Sequence, residues 1–202
     1  MIITELHQTS PERFTITFDD GSELKSTLAV VTDFYLRSGM ELDDIKYREV
    51  LNASSLSMCK ARALRLINTR AMSKKEIRDK LTEKGESPEN AAFCADWLCE
   101  MGLINELSYG EMVVRHYAAK GFGRGRIKQE LRRHGVPEEY WDEAFNEMPE
   151  QDDRLQRFIS SRLTDSSDRA QVQKISNALY RRGYSWDEIK HALNEFTSEE
   201  DI

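Results

Sequence analysis

The chain has 202 residues, 39% of them hydrophobic and 32% charged, with a formal net charge of −7. That length buries a real core, and so polar a composition suits many short amphipathic helices. No apolar run approaches the roughly 18 residues that span a bilayer, Met1–Leu6 lacks a basic and then apolar leader, and an odd count of three cysteines argues against a secreted disulfide framework, so a cytoplasmic address is expected.

Phe14, Ile16 and Phe18 alternate with Thr15 and Thr17, Asp19-Asp20-Gly21 supplies a turn, and Ser22–Lys25 returns as a hairpin. Ile2–Leu6 can add a third strand. Thr27 is placed to cap a short helix over 28–37, closed by Ser38-Gly39, and Glu41-Leu42-Asp43-Asp44 opens another. This mixed cap is expected to occupy residues 1–54.

Helices then follow at about 56–70, 74–84, 88–101, 106–120, 124–134, 138–148, 150–163, 169–182 and 186–196. Their spacing is set by a pattern, Ile-x3-Leu-x3-Gly, that occurs as Ile77/Leu81/Gly85, Ile127/Leu131/Gly135 and Ile175/Leu179/Gly183, at offsets of 50 and 48 residues. The i, i+4 apolar pair makes one helix face. The glycine four residues on suits a left-handed position just past the helix end. Two residues after each glycine comes a helix starter, Ser87, Pro137 or Ser185, and Ser73–Glu76 and Ser185–Glu188 read as capping boxes. The expected fold is mainly α: three tandem three-helix repeats, over 55–104, 105–149 and 150–202, forming an elongated array behind the small N-terminal β-hairpin and helix cap.

No Walker A, HExxH, GxSxG or strand-linked GxGxxG motif is present, so neither an enzyme nor a cofactor is expected. The segment Lys120–Arg126 (KGFGRGR) is glycine-rich, but it lacks the Gly-Lys-Ser/Thr ending and a preceding strand. It reads as a flexible joint between helices more readily than as a phosphate loop. Cys94 and Cys99 have poor zinc spacing, and all three cysteines are expected to be buried as small apolar groups. Among four scattered histidines, His134 precedes Gly135, where a cation meets the negative end of a helix. Trp97, Trp141 and Trp186, with Tyr140 and Tyr184, read as core packing between repeats, with base stacking as the alternative.

Charge is uneven. Residues 1–58 carry 5 basic and 10 acidic side chains, 59–148 carry 16 and 15, and 149–202 carry 8 and 11. On a helical wheel with Ile127 at zero, Leu131 falls near 40°, while Lys128, Arg132, Arg133 and Arg126 fall at about 100°, 140°, 240° and 260°. The exposed half of helix 124–134 is therefore basic nearly throughout. On helix 74–84 Lys75 and Arg78 point outward among Glu76, Asp79 and Glu83. Arg124, Arg126, Lys128, Arg132 and Arg133, with Lys75 and Arg78, are the candidate contacts to an anionic partner; the competing reading is a solvated charged surface.

Several segments together resemble the RecX family of bacterial RecA regulators. They are Ala63–Ile67 (ALRLI), Ser73–Leu81 (SKKEIRDKL), Gly102–Glu106 (GLINE), Lys120–Leu131 (KGFGRGRIKQEL) and Arg182–Ile189 (RGYSWDEI). The resemblance implies a non-enzymatic regulator without cofactor. It would bind a RecA-type recombinase, lodge along its filament on single-stranded DNA, and limit filament growth, ATP hydrolysis and strand exchange. The chain is expected to be a monomer that meets single-stranded DNA within the filament and, being this acidic, binds it weakly alone. Asn105–Tyr109 (NELSY) and Glu86 depart from the family pattern, and the net charge is more acidic than in many members. The alternative is a stand-alone helical nucleic-acid-binding module.

Overall fold

The computed structural model describes residues 1–149, 152–164 and 168–200. Residues 150–151, where the seventh repeat helix was expected to begin, and 201–202, at the expected end of the third repeat, lie outside them. The chain forms two compact units, Met1–Ile104 and Asn105–Ile202.

In the first unit, strands β1 (Ile3–Ser10), β2 (Arg13–Phe18) and β3 (Glu23–Thr27) make an antiparallel sheet in that order. Alternation turns Ile3, Ile16 and Phe18 inward against Leu36, Leu42 and Val50. Full burial of such side chains contributes about 1.5–3 kcal/mol each. Helix α1 spans Leu28–Asp33, shorter than the expected 28–37. Thr27 precedes it, but its hydroxyl meets Ser57 at 2.6 Å instead of capping the helix.

Helix α2 then runs unbroken from Asp44 to Ile67, with the Asp43 side chain accepting from the Lys46 amide at 2.7 Å. The separate helices expected to open near 41–44 and at 56 are one. No Gly or Pro interrupts the segment, and the 54/55 boundary falls inside it. The buried pair Ser26–Ser54, 2.8 Å apart, ties β3 to α2. Helices α3 (Lys74–Glu83) and α4 (Pro88–Glu100) pack on the far half of α2 around Ile77, Leu81, Ala91 and Leu98. Cys59 and Cys94 lie in that core and share a thiol hydrogen bond that, with burial, pushes Cys59 far above its ordinary pKa. Cys99 is half-buried.

The second unit contains α5 (Glu106–Ala119), α6 (Arg124–His134), a 3-10 turn (Glu138–Tyr140) running into α7 (Trp141–Asn146), then α8 (Asp152–Ser160), α9 (Arg169–Arg181) and α10 (Trp186–Glu200). The helix expected over 138–148 is thus split between a tight turn and a short helix. Two cores form: Val113, Val114, Ile127, Leu131 and Trp141 in the first, and Ile159, Ile175, Leu179 and Ile189 in the second. The Ser185 box is complete: the Glu188 amide donates to Ser185 Oγ at 3.2 Å and the Ser185 amide to the Glu188 carboxylate at 2.6 Å.

The three repeat glycines terminate their helices identically. Gly85, Gly135 and Gly183 have φ of 85°, 76° and 91°. The amide after each reaches back to the repeat leucine: Glu86 to the Leu81 carbonyl at 3.1 Å, Val136 to Leu131 at 3.0 Å, Tyr184 to Leu179 at 3.3 Å. These are Schellman closures, which use up otherwise unpaired helix-end carbonyls. Among the described residues, no helix is long and apolar enough to cross a membrane, and no cluster of His, Cys, Asp and Glu could hold a metal.

Candidate nucleic-acid interface

Helix α6 carries five of the seven candidate residues. Its buried stripe is Ile127 and Leu131, both at 0% exposure. Arg124, Arg126, Lys128, Arg132 and Arg133 all face solvent. Their charges are not equally available. Glu130, only 4% exposed, receives Arg126 at 2.7 Å and Arg133 at 2.7 Å. Arg133 also donates to the Tyr117 hydroxyl at 3.0 Å. Arg132 pairs with Glu138 at 2.7 Å and lies over the Trp141 ring at 5.2 Å. Arg124 lies over Phe145 at 4.4 Å. Lys128 forms no ion pair among the described residues. All five cations are exposed, but two of the guanidiniums are engaged by one buried carboxylate. The spacing that showed this was visible, since Glu130 sits four residues after Arg126 and three before Arg133.

Burial pushes the Glu130 carboxyl upward, but hydrogen bonds and charge from Arg133, with Tyr117 and Arg126, outweigh it and hold the group below the ordinary carboxylate range. A carboxylate whose folded pKa is depressed adds stability above its unfolded value, near pH 4.3, and that stability drains away as pH falls through the folded value. Glu130→Gln is expected to cost about 1–3 kcal/mol at neutral pH, as for a lost charged hydrogen-bond network. It should also flatten the loss of stability below about pH 4.3. Urea unfolding across that range checks it; an unchanged acid limb would mean the network is not formed in solution.

The glycine-rich entry to α6 is neither a flexible joint nor a phosphate loop. Gly123 has no side-chain cap to offer. Its amide donates to the Arg182 carbonyl at 2.9 Å, and the Gly125 amide to the Gly183 carbonyl at 2.9 Å. The positive start of α6 thus closes the negative end of α9, and both sets of unpaired backbone groups are satisfied together. The approach is so close that a Cβ on Gly123 would lie 2.5 Å from the Gly183 oxygen. The amides that a phosphate would need are already used.

Lys75 and Arg78 share α3 in the first unit. Lys75 pairs with Asp79 at 3.0 Å, and Arg78 borders a shallow cleft with Asp79 and Glu83. His134 does sit in the last turn of α6, with Nδ1 at 3.2 Å from the Tyr109 hydroxyl. Trp141 and Tyr184 are core residues, but Trp186 is not: it is 45% exposed and stacks on Tyr180. It lies in the first turn of α10, beyond the reach of the core positions Ile189 and Ala192.

This architecture defines a mainly helical protein of three-helix modules behind a small antiparallel sheet. Family models for the first, second and third three-helix domains of RecX match residues 59–98, 105–144 and 150–193. The regulatory protein RecX of Trichlorobacter lovleyi is 32% identical over 147 residues, covering 69% of this chain and 96% of that protein. That of Bacillus subtilis is 27% identical over 201 residues, covering 94% and 74%. A crystal structure of regulatory protein RecX superposes with a TM-score of 0.76 at 23% identity, covering 96% of this chain and 98% of that one, and shows the same fold. The chain belongs to the RecX family. It is a regulatory protein and not an enzyme.

Proposed function

We propose that this chain binds a RecA-type recombinase filament and limits its extension, ATP hydrolysis and strand exchange, with the solvent face of α6 turned to the anionic part of the recombinase–DNA assembly. The observation that carries the reading is the row of exposed cations on one rigid helix, Arg124, Lys128 and Arg132 foremost, in the only part of the chain that is not net acidic. Arg126 and Arg133 join it as a guanidinium pair held in place by Glu130. Lys75 and Arg78 on α3 are proposed as secondary contacts. Membership of a family named for regulation supports the role. An acidic chain can enter a nucleoprotein groove when one basic face meets phosphates and the remainder meets protein.

The test is the host recombinase's DNA-dependent ATPase and filament assembly with this protein added over a salt series. Lys128→Glu with Arg132→Glu should keep the fold, at a cost of about 1–2 kcal/mol for the lost Glu138 ion pair and Trp141 ring contact of Arg132. It should weaken inhibition at moderate salt and flatten the salt dependence by roughly one to two units, at about 0.7 per phosphate contact on single strands. If the variant inhibits as well as the unaltered protein at every salt concentration, the α6 face is only a solvated surface. Titrating single-stranded DNA with and without recombinase separates filament binding from a stand-alone nucleic-acid module.

A further inference from the structure

Tyr180 in the last turn of α9 and Trp186 in the first turn of α10 stack ring on ring, with centroids 5.0 Å apart and planes 17° apart. Both remain in solvent, at 54% and 45% exposure. Elsewhere in the same unit Tyr109, Trp141, Phe145 and Tyr184 are 3–6% exposed. The two rings, stacked nearly parallel and each about half exposed, make a flat aromatic platform on the surface.

Tyr180 also lines a groove of about 490 Å³ shared by the second and third repeats, a size within the range of ligand clefts. Arg124 and Arg126 reach it from α6, and Arg181 from α9. The one carboxylate there, Glu188, accepts the Ser185 amide at 2.6 Å as part of its capping box. Arg126 is held by Glu130 at 2.7 Å, whereas Arg124 and Arg181 form no ion pair among the described residues. The two helix ends that carry these groups are locked together by the Gly123 and Gly125 amides on the Arg182 and Gly183 carbonyls, so platform and cations keep a fixed spacing.

We infer that the Tyr180–Trp186 platform and the adjoining Arg124–Arg181 groove bind unpaired nucleotides of single-stranded DNA, a base on the open ring face and its phosphate on the guanidiniums. Aromatic stacking beside a cationic groove is the chemistry of single-strand binding, because every unpaired base offers a π-face and a duplex offers none along its length. A protein partner fits less well: Arg124, Arg126, Arg181 and Gln129 line the groove, whereas the core of a protein interface is depleted in charge. The choice of DNA rests on the filament reading; the platform itself uses neither Lys128 nor Arg132.

The test is anisotropy of labelled oligodeoxythymidylate with the full chain at low salt, against an abasic strand and a duplex of the same length. The unaltered protein should bind the base-bearing strand about tenfold tighter than the abasic one, the equivalent of one stacked base. Tyr180→Ala with Trp186→Ala should remove that preference and leave the abasic affinity unchanged. Trp186→Phe, which keeps a ring, should retain the affinity but lose the quenching of tryptophan emission by the oligonucleotide. Lys128→Glu with Arg132→Glu should keep the preference for bases, so a failure of the filament reading and a failure of the platform read out separately. Equal affinity of the unaltered protein for base-bearing and abasic strands overturns the inference. So does an alanine double variant that binds the base-bearing strand undiminished, or quenching that survives in Trp186→Phe.

Discussion

Ile127→Asp is expected to lower the stability of the second unit by several kcal/mol, on the order of 3–5, as for other uncompensated buried charges. Ile127 and Leu131 are both 0% exposed and stand at the centre of a core with Val113, Val114 and Trp141. A carboxylate at either position has no cation facing it from inside that core. It must either ionise in an apolar surround or take up a proton, and both cost free energy. For a unit of roughly 100 residues each kcal/mol moves the melting temperature by about 4–8 °C, so the transition should fall by more than about 12 °C. Leu131→Asp should behave alike. Circular dichroism melts check both, and an unchanged midpoint would show that the helix does not bury this stripe.

Gly183→Ala should be the most damaging of the glycine substitutions, and Gly85→Ala is its internal control. Both residues hold a positive φ, 91° and 85°, which an alanine adopts only at a cost of about 1–2 kcal/mol. Around Gly85 a new Cβ would find nothing within 4 Å. Around Gly183 it would lie 2.1 Å from the Arg126 nitrogen and 2.6 Å from the Arg126 Cβ. Neither contact is the free end of a flexible side chain, so α6 must move away from α9, and overpacking of this kind adds about 1–3 kcal/mol. The Gly125 amide would then lose the Gly183 carbonyl. Urea unfolding of the two variants should differ by that second contribution. Equal losses for Gly85→Ala and Gly183→Ala would mean that α6 and the end of α9 are not in backbone contact.

The repeat architecture was legible because its determinants are local. A helix that ends in a Schellman closure involves six consecutive residues, so the order leucine, then glycine four places on, carries the geometry with it wherever it occurs. The same holds for the Ser185 capping box and for the inward positions of β2, which depend on pairs two to four residues apart. The stripe of Ile127 and Leu131 follows from helical period alone. The continuous α2 was also written in the chain, in the absence of any breaker between Asp44 and Ile67, so a boundary at 54/55 divides a single helix.

What the tertiary structure decided are the contacts between residues far apart in sequence. Glycines 123 and 125 are local signals of permissiveness, but whether they serve a ligand, a hinge or a neighbour depended on Arg182 and Gly183, some sixty positions on, whose carbonyls they take. The charge of the α6 face depended on Glu130, which is buried on the flank of the stripe and engages both Arg126 and Arg133. Trp186 has the composition of a core residue and stays outside because its helix begins at the edge of the core and Tyr180 is there to meet it. Period and capping determine which residues a helix can bury; which partner covers them, and which charges are left uncompensated, is settled only when separate helices meet.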